Sequence, residues 1–187
     1  MSKMRLIGGI LLLLFVQIVS SGCSDNDSNP TQPEPRVVLV SYETASDIHP
    51  TSVSSISWNS QSFTLEESAK VDSLGVQVLS ISNNPGQLVV SLHPDTPNGP
   101  GHELAAWATP QSGTGWLVGA LASSVPVEAE TTYWIIARST EDSGSFELEH
   151  DNAGTYPGGF NAYSENVGVV WFHRVETDLI FRVIGRW

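Results

Sequence analysis

Beyond Val37 apolar and polar residues alternate with a period of two. Leu88, Val90 and Leu92 share one phase and Val89, Ser91 and His93 the other, and Tyr133, Ile135 and Ala137 alternate with Trp134, Ile136 and Arg138. Phe146 and Leu148 alternate with Glu147, Glu149 and Asp151, and Leu179, Phe181 and Val183 with Asp178 and Arg182. This period puts successive side chains on opposite faces of a strand, and with one phase polar it predicts antiparallel sheets packed on one side. Turn-forming clusters separate the runs: Asn83-Asn84-Pro85-Gly86, the loop from Pro94 to Gly101, Ser112-Gly113-Thr114-Gly115, Asp142-Ser143-Gly144 and Tyr156-Pro157-Gly158-Gly159. About eight to ten short strands spaced this way predict an all-β fold, an antiparallel two-sheet β-sandwich. A membrane barrel would need longer, more uniform strands with outward apolar residues throughout. Tyr133, Phe146 and Phe181 fall on the apolar phase and are expected in the core. Helix is conceivable only as a turn in Leu65 to Val71 or Leu104 to Ala108.

The start of the chain follows a different pattern. An apolar run from Leu6 to Val16 follows Lys3 and Arg5 and leads to the small residues Ser20-Ser21-Gly22 before Cys23. Such a segment is an export signal, residues 1–22 here, and its apolar core falls short of the ~20 residues that a helix needs to span a bilayer. Val19-Ser20-Ser21-Gly22-Cys23 resembles the lipobox of bacterial lipoproteins, in which the cysteine is acylated and becomes the mature N-terminus. Ser20 departs from that pattern, because the site three before the cysteine is usually aliphatic. Cleavage by the ordinary signal peptidase is the alternative, and it would leave a free thiol. By resemblance to enterobacterial lipoproteins, Ser24 after the cysteine implies the outer membrane of a bacterial envelope. Acylation at Cys23 would make the lipid bilayer the first partner, since each buried methylene contributes about 0.8 kcal/mol.

From Ser24 to Arg36 the chain has no aliphatic or aromatic residue and carries Pro30, Pro33 and Pro35. Residues 23–36 therefore read as the anchor cysteine plus a disordered tether, and residues 37–187 as one sandwich domain. The Asp25-x-Asp27-x-Asn29 spacing is no calcium loop, because Pro30 and Arg36 stand where Gly and Glu are required. Losing Lys3 and Arg5 from 8 basic residues leaves 6 against 20 acidic ones, which takes the charge from -12 to -14. That charge argues against nucleic acid as a partner. One cysteine allows neither an internal disulfide nor a zinc site with several thiolates.

No nucleophile elbow, zinc-binding His-Glu-x-x-His or phosphate-binding Gly loop is present. Carboxylates abound at Glu66-Glu67, Glu141-Asp142 and Glu147/Glu149/Asp151, where solvated strand faces explain them, and a non-catalytic role is expected. His93, His102, His150 and His173 are spread along the sequence. Asp95, Thr96 and Asn98 in one loop offer oxygen ligands for a structural calcium ion, although a turn held by its own Asp and Asn side chains is the favoured reading. Aromatic residues are the clearest lead to a ligand: the chain has 6 Trp and 4 Tyr. Tyr156, Phe160 and Tyr163 lie in a Gly-rich loop with Asn161, and Trp107, Trp116 and Trp171 have no clear core phase. Rings at a sandwich edge with polar neighbours suit stacking on sugar faces. The rival is a loop that folds back and staples its rings to the sheet.

Several stretches resemble the bacterial extracellular sandwich modules called choice-of-anchor domains. They are Gln61-Ser62-Phe63-Thr64, Leu88-Val89-Val90-Ser91-Leu92 with its loop ending Gly99-Pro100-Gly101, Thr131-Thr132-Tyr133-Trp134-Ile135, and Asp178 to Gly185. Tyr156-Pro157-Gly158-Gly159-Phe160-Asn161-Ala162-Tyr163 resembles that group's Gly-Gly-x-Ala-Tyr segment with one extra residue. The resemblance spans roughly Ser60 to Gly185 and implies a jelly-roll-like sandwich, similar in build to carbohydrate-binding modules, with no shared activity. The expectation is an envelope lipoprotein with a binding or adhesion module, glycan being the preferred ligand class. The competing expectation is a structural lipoprotein that docks on an envelope protein.

Overall fold

The alternating runs are strands in the computed structural model of the protein, which describes residues 34–109 and 113–187. The signal segment, Cys23 and the tether up to residue 33 lie outside the described residues. Fourteen strands and no helix occur among the described residues: β1 Val37–Tyr42, β2 Ile48–Val53, β3 Trp58–Thr64, β4 Ala69–Asn83, β5 Leu88–Thr96, β6 Gly99–Pro100, β7 Ala105–Thr109, β8 Gly115–Val127, β9 Thr132–Ser139, β10 Gly144–Asp151, β11 Asn161–Ser164, β12 Phe172–Arg174, β13 Asp178–Leu179 and β14 Phe181–Arg186. The count exceeds the expected one because β6, β12 and β13 are too short to show a period. Both patches that were ambiguous for helix enter strands, Leu65 to Val71 through a turn into β4 and Leu104 to Ala108 through β7.

Two antiparallel sheets pack face to face. One has the order β1-β14-β4-β10-β13, with β2 on β10 and β8 on β4; the other has the order β12-β11-β3-β9-β5-β6, with β7 on β5. Leu74, Val76, Val78, Phe146, Leu148, Phe181 and Val183 from the first sheet meet Phe63, Leu88, Val90, Leu92, Tyr133 and Ile135 from the second. The Phe63 ring joins the layers, with its centroid 6.1 Å from Tyr133 on its own sheet and 6.5 Å from Phe181 on the other. Burying each such side chain contributes about 1.5–3 kcal/mol. At one margin the chain passes between the sheets from β7 to β8. There the Trp107 ring lies on Gly119, where a Cβ would stand 2.2 Å from the indole.

The second sheet departs from the expectation of one polar face. Its outer side carries Ser60, Ser62, Ser91, His93, Trp134, Ile136 and Ser164, and all are buried. Two loops roof it. The β5–β6 hairpin folds back so that the Gly101 carbonyl meets His93 Nδ1 at 2.8 Å and Asp95 Oδ1 accepts the Trp134 indole N–H at 2.7 Å. From the other side Phe160 stands edge-on to Trp134 with centroids 5.0 Å apart, and the β11–β12 loop brings Trp171 into contact with Gly99. Serine hydroxyls suit this covered face, because each can turn to a nearby carbonyl, as Ser60 does to Ala162 at 2.9 Å and Ser62 to Phe160 at 3.2 Å.

Candidate functional site

The aromatic residues singled out in the sequence point in several directions and do not form one platform. Tyr156 is buried between the sheets, edge-on to Phe181 with centroids 5.2 Å apart and 5.7 Å from Tyr42. Asn161 is fully buried, and Trp107 is buried in the core. Trp116 lies on the outer side of the first sheet beneath the Arg182 guanidinium, 3.9 Å from the ring centroid. Phe160 and Trp171 belong to the roof over the second sheet. The loop therefore does fold back in part, because Phe160 and Ser62 exchange hydrogen bonds at 2.8 and 3.0 Å. A triple removal of Tyr156, Phe160 and Tyr163 would damage the core together with any surface.

In the Asp95-to-Asn98 loop the side chains bond to Trp134 and to the loop's own backbone. Asp95 Oδ1 is engaged by the Trp134 indole, while the Thr96 hydroxyl donates to the Gly99 carbonyl at 2.7 Å and accepts the Asn98 N–H at 3.3 Å. Among the described residues no group of three or more His, Cys, Asp or Glu side chains is placed to hold a metal.

Tyr163 occupies a different place. The turn between β2 and β3 is closed by Ser54, whose N–H donates to the Ser57 carbonyl at 2.8 Å and whose hydroxyl accepts the Ser57 N–H at 3.0 Å. This turn sets Trp58 at the start of β3, where its indole N–H donates to the Ser55 carbonyl at 2.8 Å. Pairing of β3, β11 and β12 then aligns Asn59, Tyr163 and Phe172 in one row and Gln61, Asn161 and Arg174 in the next. Facing them across the sandwich edge is β2, and between them opens a cleft of about 300 Å³ lined by Pro50, Thr51, Ser52, Ser57, Trp58, Asn59, Tyr163, Glu165 and Arg174.

Beneath the cleft the interior is polar. His150 of β10 crosses from the first sheet to put Nε2 3.0 Å from Asn59 Oδ1 and 3.3 Å from Asn161 Nδ2. Asn161 Nδ2 also donates to Asn59 Oδ1 at 2.9 Å. Gln61 joins the sheets a row further on, accepting the Leu179 N–H at 2.9 Å and donating to Asp178 Oδ1 at 3.2 Å. Burial, joined by the charge of Arg174, pushes the His150 imidazole down to about 3, so the ring is neutral at physiological pH. Burial and the nearby Asp151 raise the Asp178 carboxyl, against the Tyr156 N–H and Gln61 that hold it. The side-chain nitrogen of Asn59 is buried with no hydrogen-bond partner. A buried amide donor left alone costs about 1–3 kcal/mol.

No protein-family model matches the chain, and no curated protein matches it. Function is therefore argued from the cleft itself. Its lining joins Asn59, Tyr163 and Arg174, which share the inner phase of β3, β11 and β12, with the hydroxyls of Thr51, Ser52 and Ser57 and the Glu165 carboxylate, while Trp58 borders it from the outer phase of β3, its ring 5.2 Å from the Arg138 guanidinium. Apolar faces beside convergent polar groups suit a small polyhydroxylated molecule. Two other hollows are less suited. One of about 320 Å³ lies between Trp107 and Trp116, and one of about 470 Å³ is lined by Pro97, Asn98, Val169, Val170, Trp171 and His173. Neither has a carboxylate or a guanidinium among its lining residues. Glu165 was legible in the sequence as a polar neighbour of the loop aromatics, whereas Trp58, Asn59 and Arg174 were missed because no period or spacing joins them; only strand pairing does.

Proposed function

We propose that the protein is an extracytoplasmic lipoprotein, anchored through acylated Cys23, whose sandwich binds a glycan without catalysis in the cleft bordered by Trp58 and Tyr163. The observation that carries this reading is the cleft's pairing of the Tyr163 ring with an Asn59 side-chain nitrogen that is buried without a hydrogen-bond partner. A non-catalytic role is supported by the lining residues, where Glu165 is the one carboxylate and the pair that glycoside hydrolysis uses is missing. The signal and lipobox resemblance, the proline-bearing tether and the likeness to choice-of-anchor modules all fit an envelope protein, with the outer membrane the favoured site.

A glycan array probed with the full chain tests the proposal. Binding that falls about tenfold or more in Trp58→Ala and Tyr163→Ala, as loss of about 1.4 kcal/mol of stacking requires, supports it. No glycan bound at millimolar concentration contradicts it. One observation favours a second reading, docking on an envelope protein: the stretch around β12 leaves Val169 73% and Val175 83% exposed, with Val167, Val170 and Phe172 also open to solvent. Binding that survives both ring removals but is lost on Val169→Ser with Val175→Ser would favour that reading.

A further inference from the structure

Arginine pairing in this acidic molecule is nearly complete, with one exception. Arg36 and Arg186 both reach Asp72, at 3.5 and 3.0 Å, Arg138 reaches Glu103 at 3.2 Å, and Arg182 grips Glu43 at 2.6 Å. Arg174 is the one arginine that forms no ion pair among the described residues, although 20 acidic residues are available in the chain. The residue is half-buried, and its guanidinium lies 4.2 Å from the centroid of the Tyr163 ring. β12 fixes that position by pairing Arg174 with Asn161 on β11.

Apart from the Glu165 carboxylate, the groups that share the cleft and its floor with this cation are neutral. Asn59 and Asn161 carry no charge, and His150 is held unprotonated by burial and by Arg174 itself. Glu165 lines the same cleft but forms no ion pair with Arg174. A guanidinium that has no ion pair, held over an aromatic ring in a cleft whose wall contains an unpartnered amide nitrogen, has the form of a site that awaits an anion.

We infer that the cleft takes a sugar bearing a carboxylate, a uronic acid unit, with Arg174 receiving the carboxylate and the sugar ring lying beside Tyr163. This rests on the glycan-binding reading above. A guanidinium fork matches the two oxygens of a carboxylate, and Asn59 Nδ2 supplies a further donor. Glu165 and the hydroxyls of Thr51, Ser52 and Ser57 are placed for the sugar's own hydroxyl groups. Sulfate esters share the anionic chemistry, and the test separates them.

Calorimetry with the full chain compares a tri-galacturonate, its methyl ester and a sulfated neutral trisaccharide. The uronate should bind about 10- to 100-fold more tightly than the ester, the range expected for hydrogen bonds to a charged group. Arg174→Gln should remove most of the preference for uronate over ester, and Arg174→Lys should fall between. Equal binding of uronate and ester, with Arg174→Gln indifferent, overturns the inference and leaves glycan binding standing. Preference for the sulfated sugar over the uronate also overturns it. Failure of all three sugars at millimolar concentration, with no other glycan bound on the array, overturns the glycan reading itself. The comparison of uronate and ester on the unaltered chain needs no variant to fold.

Discussion

His150 lies fully between the sheets, with Nε2 3.0 Å from Asn59 Oδ1, and its imidazole titrates at about 3 instead of 6.5. An unfolded chain takes up this proton near 6.5 and the folded one only near 3, so the unfolded state binds more protons between these values. Stability is therefore complete above that window and falls as the pH drops through it, by on the order of 4 kcal/mol for this group. Asp178 works in the opposite sense, since burial raises its pKa and its contribution is lost as pH rises through the raised value. Urea unfolding at pH 7 and pH 4 should show a large loss for the unaltered protein and a much smaller one for His150→Gln; equal losses would remove His150 from this role. Tyr156 gives a second prediction. Its buried ring sits against Phe181 and Tyr42, so Tyr156→Ala should cost about 3 kcal/mol or more in urea unfolding. Tyr163→Ala should leave stability within about 1 kcal/mol, because that ring is only half-buried. The difference between these tyrosines could not be read from the sequence. Both lie in one Gly-rich stretch without a period, and burial of Tyr156 depends on residues brought in by β1 and β14. Tyr133, Phe146 and Phe181 were legible because each sits on the apolar phase of a long strand.

At the scale of elements, the passage from β7 to β8 joins the two sheets, and Trp107 lying on Gly119 is its contact. Gly119→Ala should force the indole aside and destabilise the protein by about 1–3 kcal/mol, measured as a fall in the thermal midpoint. Trp107→Leu combined with Gly119→Ala should recover part of that loss relative to the sum of the two changes, since the residues touch. Strictly additive effects would mean that the contact is not what holds the corner. Strand existence was readable wherever alternation ran for four residues or more. The roof over the second sheet was not, because Trp134, Ile136, Ser60 and Ser62 read as one half of an ordinary alternation. Their burial comes from loops whose turn residues announce a bend but not what the bend will cover. The cleft has the same origin: β2 and β12 are short edge strands, and their side chains meet only after β3, β10 and β11 have set the register.

At the scale of the molecule, the described chain begins at the end of the sandwich away from the cleft. Val37 pairs with Gly185, which is level with Val71 on β4, whereas Thr51 in the cleft wall is level with Val78 across β10. Seven positions of β4 separate the two levels, about 23 Å at 3.3 Å per residue. Cys23→Ala should release the protein from the membrane fraction, and unchanged fractionation without lipid labelling would contradict acylation. The central claim is that a glycan sits in the cleft bordered by Trp58 and Tyr163, and the indole N–H region of an NMR spectrum tests it most directly. On titration of the full chain with the best array ligand, the signal lost in Trp58→Phe should shift, while those of Trp107, Trp116 and Trp171 stay in place. A shift of the Trp116 or Trp171 signal with Trp58 unmoved would contradict the account.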